Sequence, residues 1–191
     1  EDSGDQAMLM MPNLATANTF WATWNGSTWS ATSTLAQSAP MVWGSLKRDS
    51  GSDRMVLCTM DTNTDIGVTH WSGSTWGSQT IMTAIGNDNR GLPADCEFQT
   101  SAGTDGDVVI TYSDTAAARY QTYNYASGTY SGEFSLDTIN NSWRFQTVRA
   151  GDGTIHMVAF DDASTPKRYD TSQWDGSAWT TKQSLSTNPS L

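Results

Sequence analysis

A short hairpin motif, Trp-x-Gly-Ser-x-Trp, recurs along this chain of 191 residues. Three full copies run from Trp24 to Trp29, from Trp71 to Trp76 and from Trp174 to Trp179, and a degenerate copy runs from Tyr125 to Tyr130. The first residues of successive copies lie 47, 54 and 49 positions apart. A repeat of this length, with an aromatic-flanked turn in each unit, is typical of the four-stranded antiparallel blades of a β-propeller. The sequence therefore predicts an all-β propeller or a segment of one.

The acidic composition favours strands joined by tight turns and disfavours two kinds of partner. The chain has 17 Asp but only 3 Glu, and Asp favours turns whereas Glu favours helices. Its formal net charge of −10 opposes binding to nucleic acid and to anionic membranes. No apolar run reaches the length of a membrane span. We therefore expect no nucleic-acid partner and no insertion into a membrane.

Aligning the hairpins divides the chain into four repeats within a single propeller domain. The repeats cover approximately residues 1–41, 42–94, 95–142 and 143–191. A complete repeat contains four predicted strands, named A to D from the innermost outwards, and the hairpin joins strand C to strand D. The B strands are the most apolar, as expected for strands that are covered on both faces by neighbouring blades.

The first repeat lacks its innermost strand. Its opening residues 2–5 align with the turn between strands A and B, and residues 184–191 align with the linker 34–41. Neither end of the sequence supplies the missing strand, so 15 strands are predicted where four blades need 16. Either the chain is a segment of a longer propeller, or the open edge pairs with another copy in a homo-oligomer.

Acidic residues recur at the ends of the predicted B strands, at Asp61, Asp114 and Asp162. Asp65 and Asp88 fall in loops on the same face of the propeller. Oxygen ligands that converge there suit Ca²⁺, so Asp61, Asp65 and Asp88 are candidate metal ligands. The alternative is that each Asp caps a turn by accepting a hydrogen bond from a nearby backbone N–H. Because an Asp at the end of strand B recurs once per repeat, the pattern favours the capping interpretation.

Aromatic and polar residues outside the hairpins are candidates for sugar binding. The predicted ligand-binding residues are Trp43, Asp61, Asp114, Tyr120, Trp143, Arg144 and Asp162. The competing interpretation of the aromatic residues is burial between blades, which covers large apolar areas. No nucleophile elbow, phosphate loop or zinc-helix motif occurs, and the two histidines are far apart. A non-catalytic module that recognises a carbohydrate, or another protein, is the function that the sequence favours.

Cysteine usage leaves two alternatives open. Cys58 and Cys96 could form one disulfide or remain two buried thiols. The composition, poor in Lys and rich in Thr and Trp, indicates a secreted or cell-surface protein.

The repeat resembles those of secreted bacterial propellers of the sialidase-like and fucose-lectin-like kinds. In both, a B strand that ends in Asp is followed by a C strand and an aromatic-Gly-aromatic hairpin, and the resemblance covers essentially the whole chain. Fucose lectins place an Arg and a Glu around each pocket between blades. With Glu97 and Glu133 as its only internal glutamates, this chain cannot repeat such a pocket.

Two alternative functions follow from these observations. A sialidase-like glycoside hydrolase fragment would use Arg48, Arg144 and Glu97 near the propeller axis, as the resemblance to sialidases implies. A purely structural repeat would instead assemble through its open blade edge.

Overall fold

A computed structural model describes residues 7–84, 93–99, 106–114, 117–136, 142–161, 168–180 and 183–185. These residues form four antiparallel β-sheets in which neighbouring strands follow one another along the chain. Each sheet is one blade, so the prediction of an all-β fold built from propeller blades is confirmed. Within the described ranges, no helix is long and apolar enough to cross a membrane.

The first blade has three strands in the part of the chain that the structure describes: β1 (Ala7–Pro12), β2 (Asn18–Trp24) and β3 (Ser33–Ala36). The second blade has four: β4 (Met41–Arg48), β5 (Met55–Asp61), β6 (Asp65–Trp71) and β7 (Thr80–Ala84). The third blade has five, because its outer strand is split: β8 (Ala94–Phe98), β9 (Val108–Ser113), β10 (Ala118–Asn124), β11 (Thr129–Tyr130) and β12 (Phe134–Ser135). The fourth has β13 (Ser142–Arg149), β14 (Ile155–Asp161), β15 (Arg168–Trp174) and β16 (Gln183–Leu185).

The aromatic hairpin joins strand C of a blade to strand D, as the alignment predicted. Its two tryptophans face each other across the turn in three blades, with ring centroids 5.5 to 5.7 Å apart. The central glycine has φ between 93° and 101°, a conformation that glycine adopts without steric cost. The preceding side chain accepts hydrogen bonds from two backbone N–H groups of the turn, and this residue is Asn25, Ser72 or Asp175.

The degenerate hairpin of the third blade is paired differently from its expected alignment. Tyr123, rather than Tyr125, pairs with Tyr130, which lengthens the loop by two residues. Tyr125 instead lies against the second blade, where its hydroxyl donates to the backbone oxygen of Met55 at 3.1 Å. Counted from Tyr123, the hairpins are 47, 52 and 51 residues apart, which is a more even repeat than the sequence motif suggested.

The outer strand of the second blade begins later than the sequence predicts. Strand D is predicted from Thr75 to Ile81, whereas β7 begins at Thr80. The pairing of β6 with β7 shifts register beside Gly67, and the side chain of Gln79 occupies the space over that glycine. From there the Gln79 amide donates to Thr59 Oγ1 at 3.1 Å. In the first blade, β3 likewise begins four residues after its hairpin, at Ser33.

The inner strands β4, β8 and β13 meet around the axis and are joined by polar side chains. Asp95 of β8 accepts hydrogen bonds from Ser45 Oγ of β4 at 2.7 Å and from Thr147 N of β13 at 2.6 Å. Lys47 Nζ donates to the Thr147 oxygen at 2.8 Å and lies 3.7 Å from Glu97 Oε2. Burial raises the pKa of the Glu97 carboxyl. These groups connect neighbouring blades.

Each blade presents one face to the preceding blade and one to the following blade. We call the contacts between successive blades the first, second and third seams. The largest core cluster fills the second seam, with Val56, Cys58 and Met60 from one side and Cys96, Phe98 and Tyr112 among the residues of the other. Alternation along a strand therefore assigns residues 56, 58 and 60 of β5 to the face toward the third blade.

Candidate functional site

The first seam contains an open pocket with a volume of about 370 Å³. Its walls come from β1 and β2 of the first blade and from β5, β6 and two turns of the second. Its size lies in the lower part of the range of about 300–1,000 Å³ that is usual for small-molecule sites. The turns that line it, at 48–53 and 73–74, lie on one face of the propeller, as the up-and-down order of the strands requires.

Tryptophans form the apolar part of the pocket. Trp21 pairs with Met10 of β1 and therefore faces the second blade. Its ring meets the ring of Trp71 edge-to-face, with centroids 5.1 Å apart and planes at 69°. Trp71 is buried and contacts Trp76 across its hairpin. Trp24 borders the pocket at the end of β2, on the strand face opposite to that of Trp21. The indoles that face the pocket are therefore those of Trp21 and Trp71.

A charged pair stands at the rim of the pocket. Arg48 ends β4, and Asp53 lies in the turn that follows. Arg48 Nη2 is 3.8 Å from Asp53 Oδ1, and the two side chains are 44% and 63% exposed. An exposed pair at this separation contributes little to stability. Both groups therefore face solvent beside the tryptophans, where they can donate to and accept from a ligand.

The equivalent place in the second seam is filled. Thr23 pairs with Met8 at the position where His70 pairs with Val56. The His70 ring stacks on Tyr123, with centroids 3.8 Å apart and planes at 16°. Threonine is too short to cross the seam in this way, so Thr23 does not fill the space that His70 fills in the second seam.

Both nitrogens of His70 are hydrogen-bonded within the second seam. Nδ1 is 3.2 Å from the Tyr125 hydroxyl and Nε2 is 2.9 Å from the Tyr130 hydroxyl. Because Tyr125 gives its proton to the Met55 oxygen, it accepts from Nδ1–H, and Nε2 then accepts from Tyr130. Burial raises the pKa of Tyr130 to about 12 and lowers the pKa of His70 to about 4. The seam is therefore closed by a neutral, fully partnered imidazole.

A shallow groove of about 520 Å³ continues from the pocket toward the outer rim. Its sides are residues 34–36 of β3 and residues 75–79 beyond the second hairpin. Trp21 and Ser74 line both the pocket and the groove. One ligand could therefore contact both.

The ligand-binding residues predicted from the sequence do not lie together. Trp43 packs against the core of the second seam. Tyr120 lies in the third seam, 5.2 Å from the ring of Phe134 and 5.5 Å from that of Trp174, and burial raises its pKa. Arg144 is exposed at the start of β13. The side chain of Trp143 and the whole of Asp162 lie outside the described residues.

The recurring aspartates cap turns. Asp61 Oδ1 accepts from the backbone N–H groups of Asn63 at 2.8 Å and Asp65 at 3.0 Å, and its Oδ2 accepts from Ser38 Oγ at 2.8 Å. Asp114 caps its turn through Ala117 N at 2.8 Å. These are the contacts that the capping interpretation expects.

Strand pairing changes the alignment of this position in the fourth blade. Asp161 pairs with Ser142 just as Asp61 pairs with Met41, so the repeated position is Asp161 rather than Asp162. The two consecutive aspartates made the alignment ambiguous from the sequence.

No group of three or more His, Cys, Asp or Glu side chains that could hold a metal occurs among the described residues. Burial and the charge of Asp61 raise the pKa of Asp65. Asp88 lies outside the described residues. A calcium site at Asp61, Asp65 and Asp88 therefore stays a prediction.

The residues of the sialidase-like alternative are not brought together. Arg48 pairs with Met55 beside the A–B turn, whereas Arg144 pairs with Phe160 at the opposite end of its strand. Glu97 faces Lys47 instead. The register thus separates the two arginines along the axis, which corrects the expectation that they converge.

The residues that sequence reasoning missed as a set are Trp21, Trp71, Arg48 and Asp53. The sialidase-like alternative places Arg48 near the propeller axis, but nothing in the sequence places these four residues in one pocket. The signal that could have found them is the absence of a bulky residue at Thr23, where the second repeat has His70.

No family model matches this chain, and no curated protein matches it in sequence. Solved structures share its fold. A lectin of the fungus Aleuria aurantia, described as a six-bladed β-propeller with a novel fucose recognition mode, matches with a TM-score of 0.60 at 13% identity, over 97% of this chain and 59% of the lectin. A mutant of that lectin in complex with α-methyl-L-fucoside gives 0.60 at 12% identity, over 97% and 58%.

The NanB sialidase of Streptococcus pneumoniae matches with a TM-score of 0.55 at 12% identity, over 82% of this chain and 26% of the enzyme. The chain thus spans about six-tenths of the lectin and a quarter of the sialidase. At these identities, the comparisons show that the chain has the architecture of a β-propeller.

Proposed function

We propose that this protein is a non-catalytic extracellular module that binds carbohydrate in the first seam. The observation that carries the proposal is the open pocket in which Trp21 and Trp71 lie beside Arg48 and Asp53. Indole rings offer apolar surfaces for the C–H faces of a sugar, as they do for other flat apolar groups. The guanidinium donates and the carboxylate accepts hydrogen bonds, which matches the paired hydroxyls of a sugar ring. The lectins of similar fold bind fucosides, which supports the ligand class.

The groove beyond Trp21 indicates how a longer ligand would lie. Because Trp21 and Ser74 line both spaces, a sugar in the pocket would direct its next residue toward β3. We therefore expect an oligosaccharide to bind more tightly than the monosaccharide at its end.

A glycan array followed by titration calorimetry tests the proposal, with α-methyl-L-fucoside as the first soluble probe. If the wild-type protein binds a glycan, the Trp21→Ala variant should bind it with an affinity lower by about tenfold or more, because the substitution removes a ring from the pocket. Trp29→Ala is the matched control, because Trp29 is 49% exposed and lies outside the pocket lining. A protein that binds no glycan, or a Trp21→Ala variant with unchanged affinity, would contradict the proposal.

Assembly through the terminal blade faces is a second candidate function, and exposed apolar residues favour it. All residues of β9 are buried, and so are all residues of β5 except Met55. In β14, which occupies the same place in the fourth blade, Val158 is 40% exposed. Val148 at 58% and Tyr169 at 41% lie on the same face. In the earlier blades, the corresponding face is covered by the next blade of the chain.

The first blade has the complementary exposed face. Leu9 and Phe20, which point away from the second blade, are 44% and 36% exposed. We propose that this face of the first blade packs against the exposed face of the fourth blade in a second copy. Faces of these two kinds pack against each other between successive blades inside the chain.

Light scattering over a range of concentrations tests this assembly. Wild-type protein is expected to gain mass with concentration, and Val158→Asp is expected to stay monomeric. Thr28→Asp, in the exposed first hairpin, is the control and should assemble like the wild type. A wild-type protein that is monomeric at every concentration would refute the assembly and leave the glycan proposal untouched.

A further inference from the structure

We propose that Cys58 and Cys96 are the site of a disulfide that joins the second blade to the third. The two residues are 38 positions apart in the sequence and belong to different sheets. Both side chains are completely buried in the core cluster of the second seam. The bond would therefore be a buried cross-link between the two blades.

The strand register brings the two cysteines together. Cys58 of β5 is the pairing partner of Ser45 of β4. Ser45 Oγ donates to Asp95 Oδ1 at 2.7 Å, and Asp95 is the residue before Cys96. This hydrogen bond sets the level of the third blade against the second. At that level β5 contacts β8, and Cys58 and Cys96 lie in the same buried core cluster.

The surroundings of the pair decide when the bond can form. Neither sulfur reaches solvent, and burial, followed by the contact with Cys58, raises the pKa of the Cys96 thiol. Since the thiolate is the reactive form, the folded seam protects the pair from oxidants. The disulfide must therefore form during folding, before the second and third blades close on each other.

The reaction is thiol–disulfide exchange with a small disulfide such as oxidised glutathione. One cysteine thiolate attacks the glutathione disulfide, which forms a mixed disulfide and releases one glutathione thiolate. The second cysteine attacks the protein sulfur of that mixed disulfide and releases the other glutathione. The two cysteines lose two electrons and two protons in total, and one oxidised glutathione becomes two reduced molecules.

Refolding of the full chain in two buffers tests the proposal. One buffer contains dithiothreitol, and the other contains reduced and oxidised glutathione. Each product is unfolded without reductant and its thiols are counted with Ellman's reagent. We expect two thiols per chain from the first buffer and none from the second, with an intact mass lower by two hydrogen atoms. The melting temperature of the oxidised protein should be higher by about 10 °C, because the cross-link restricts the unfolded chain.

A matched variant separates the bond from effects of the buffer. The double variant Cys58→Ala, Cys96→Ala should melt at the same temperature after either treatment. If the chain does not refold, the thiols are counted in protein purified after export to an oxidising compartment, and none should titrate. Two titratable thiols per chain after oxidation by either route, or a disulfide found only between chains, would overturn the proposal.

Discussion

The first and second seams are built from the same repeat, yet one encloses an open pocket and the other is packed solid. In the second seam His70 crosses to the third blade, stacks on Tyr123 and bonds to two tyrosine hydroxyls. In the first seam Thr23 holds the same strand position, and a cavity of about 370 Å³ remains beside it. This position in strand C is one difference between the place that a side chain fills and the place that stays open.

The surroundings of that position reinforce the difference. The third blade supplies Tyr123, Tyr125 and Tyr130 to the second seam, because its hairpin is longer and turns Tyr125 toward the second blade. At the corresponding place in the first seam, the second blade supplies Trp71, with Trp76 beside it. The two seams have the same strand arrangement, but the side chains that face into the second seam are larger than those that face into the first.

The largest effect on stability should come from removing the His70 side chain from the second seam. His70→Ala removes a stacked ring and leaves two buried tyrosine hydroxyls without their partner, so it should lower the free energy of unfolding by about 3 kcal/mol. Thr23→Ala, at the equivalent place in the open seam, should cost less than about 0.5 kcal/mol. Urea denaturation of both variants measures the difference. Equal losses would show that the two seams do not differ as described.

Acid should weaken the closed seam next. The pKa of His70 is about 4 in the folded protein and about 6.5 when the chain is unfolded. The unfolded state therefore binds more protons between these values, and stability is present above pH 6.5 and lost as the pH falls toward 4. Between pH 7.5 and pH 5 this group should remove about 2 kcal/mol.

Thermal unfolding at the two pH values measures this loss. The His70→Gln variant cannot titrate at this position and should lose correspondingly less stability on acidification. A variant with the same pH dependence as the wild type would mean that His70 does not carry the effect.

The smallest effect on folding should come from placing a histidine at position 23, as in the second seam. This change should act on binding. Thr23→His places a ring in the pocket, so it should reduce affinity for a bound glycan by about tenfold, or about 1.4 kcal/mol, with little change in melting temperature. Thr28→His, in the exposed first hairpin, should bind normally. Calorimetric titration of both variants decides whether the pocket at Thr23 is the binding site.

Local features of the fold followed from the sequence because they depend on neighbouring residues. The hairpins formed where aromatic residues flank a Gly, since the glycine accepts positive φ and the preceding Asn, Ser or Asp caps the turn. Even so, β7 begins at Thr80 rather than at Thr75, and β3 begins equally far after its hairpin, at Ser33. The residue pattern of the hairpin did not predict this delay.

The candidate site was less predictable for the same reason. Trp43, Tyr120 and Arg144 were reasonable choices by residue type, but the blades distribute them over different seams and faces. The pocket residues Trp21 and Arg48 come from different repeats, and their meeting depends on how two sheets pack.

By itself, the sequence determined the blade repeat and the hairpin turns. These depend on short-range periodicity and on backbone conformations that few residues accept. Only the tertiary structure decided which seam is open and that the two cysteines meet in the core between two blades. Those outcomes depend on side chains about 40 to 60 residues apart that meet when neighbouring sheets pack, and no local pattern encodes the volume that remains between them.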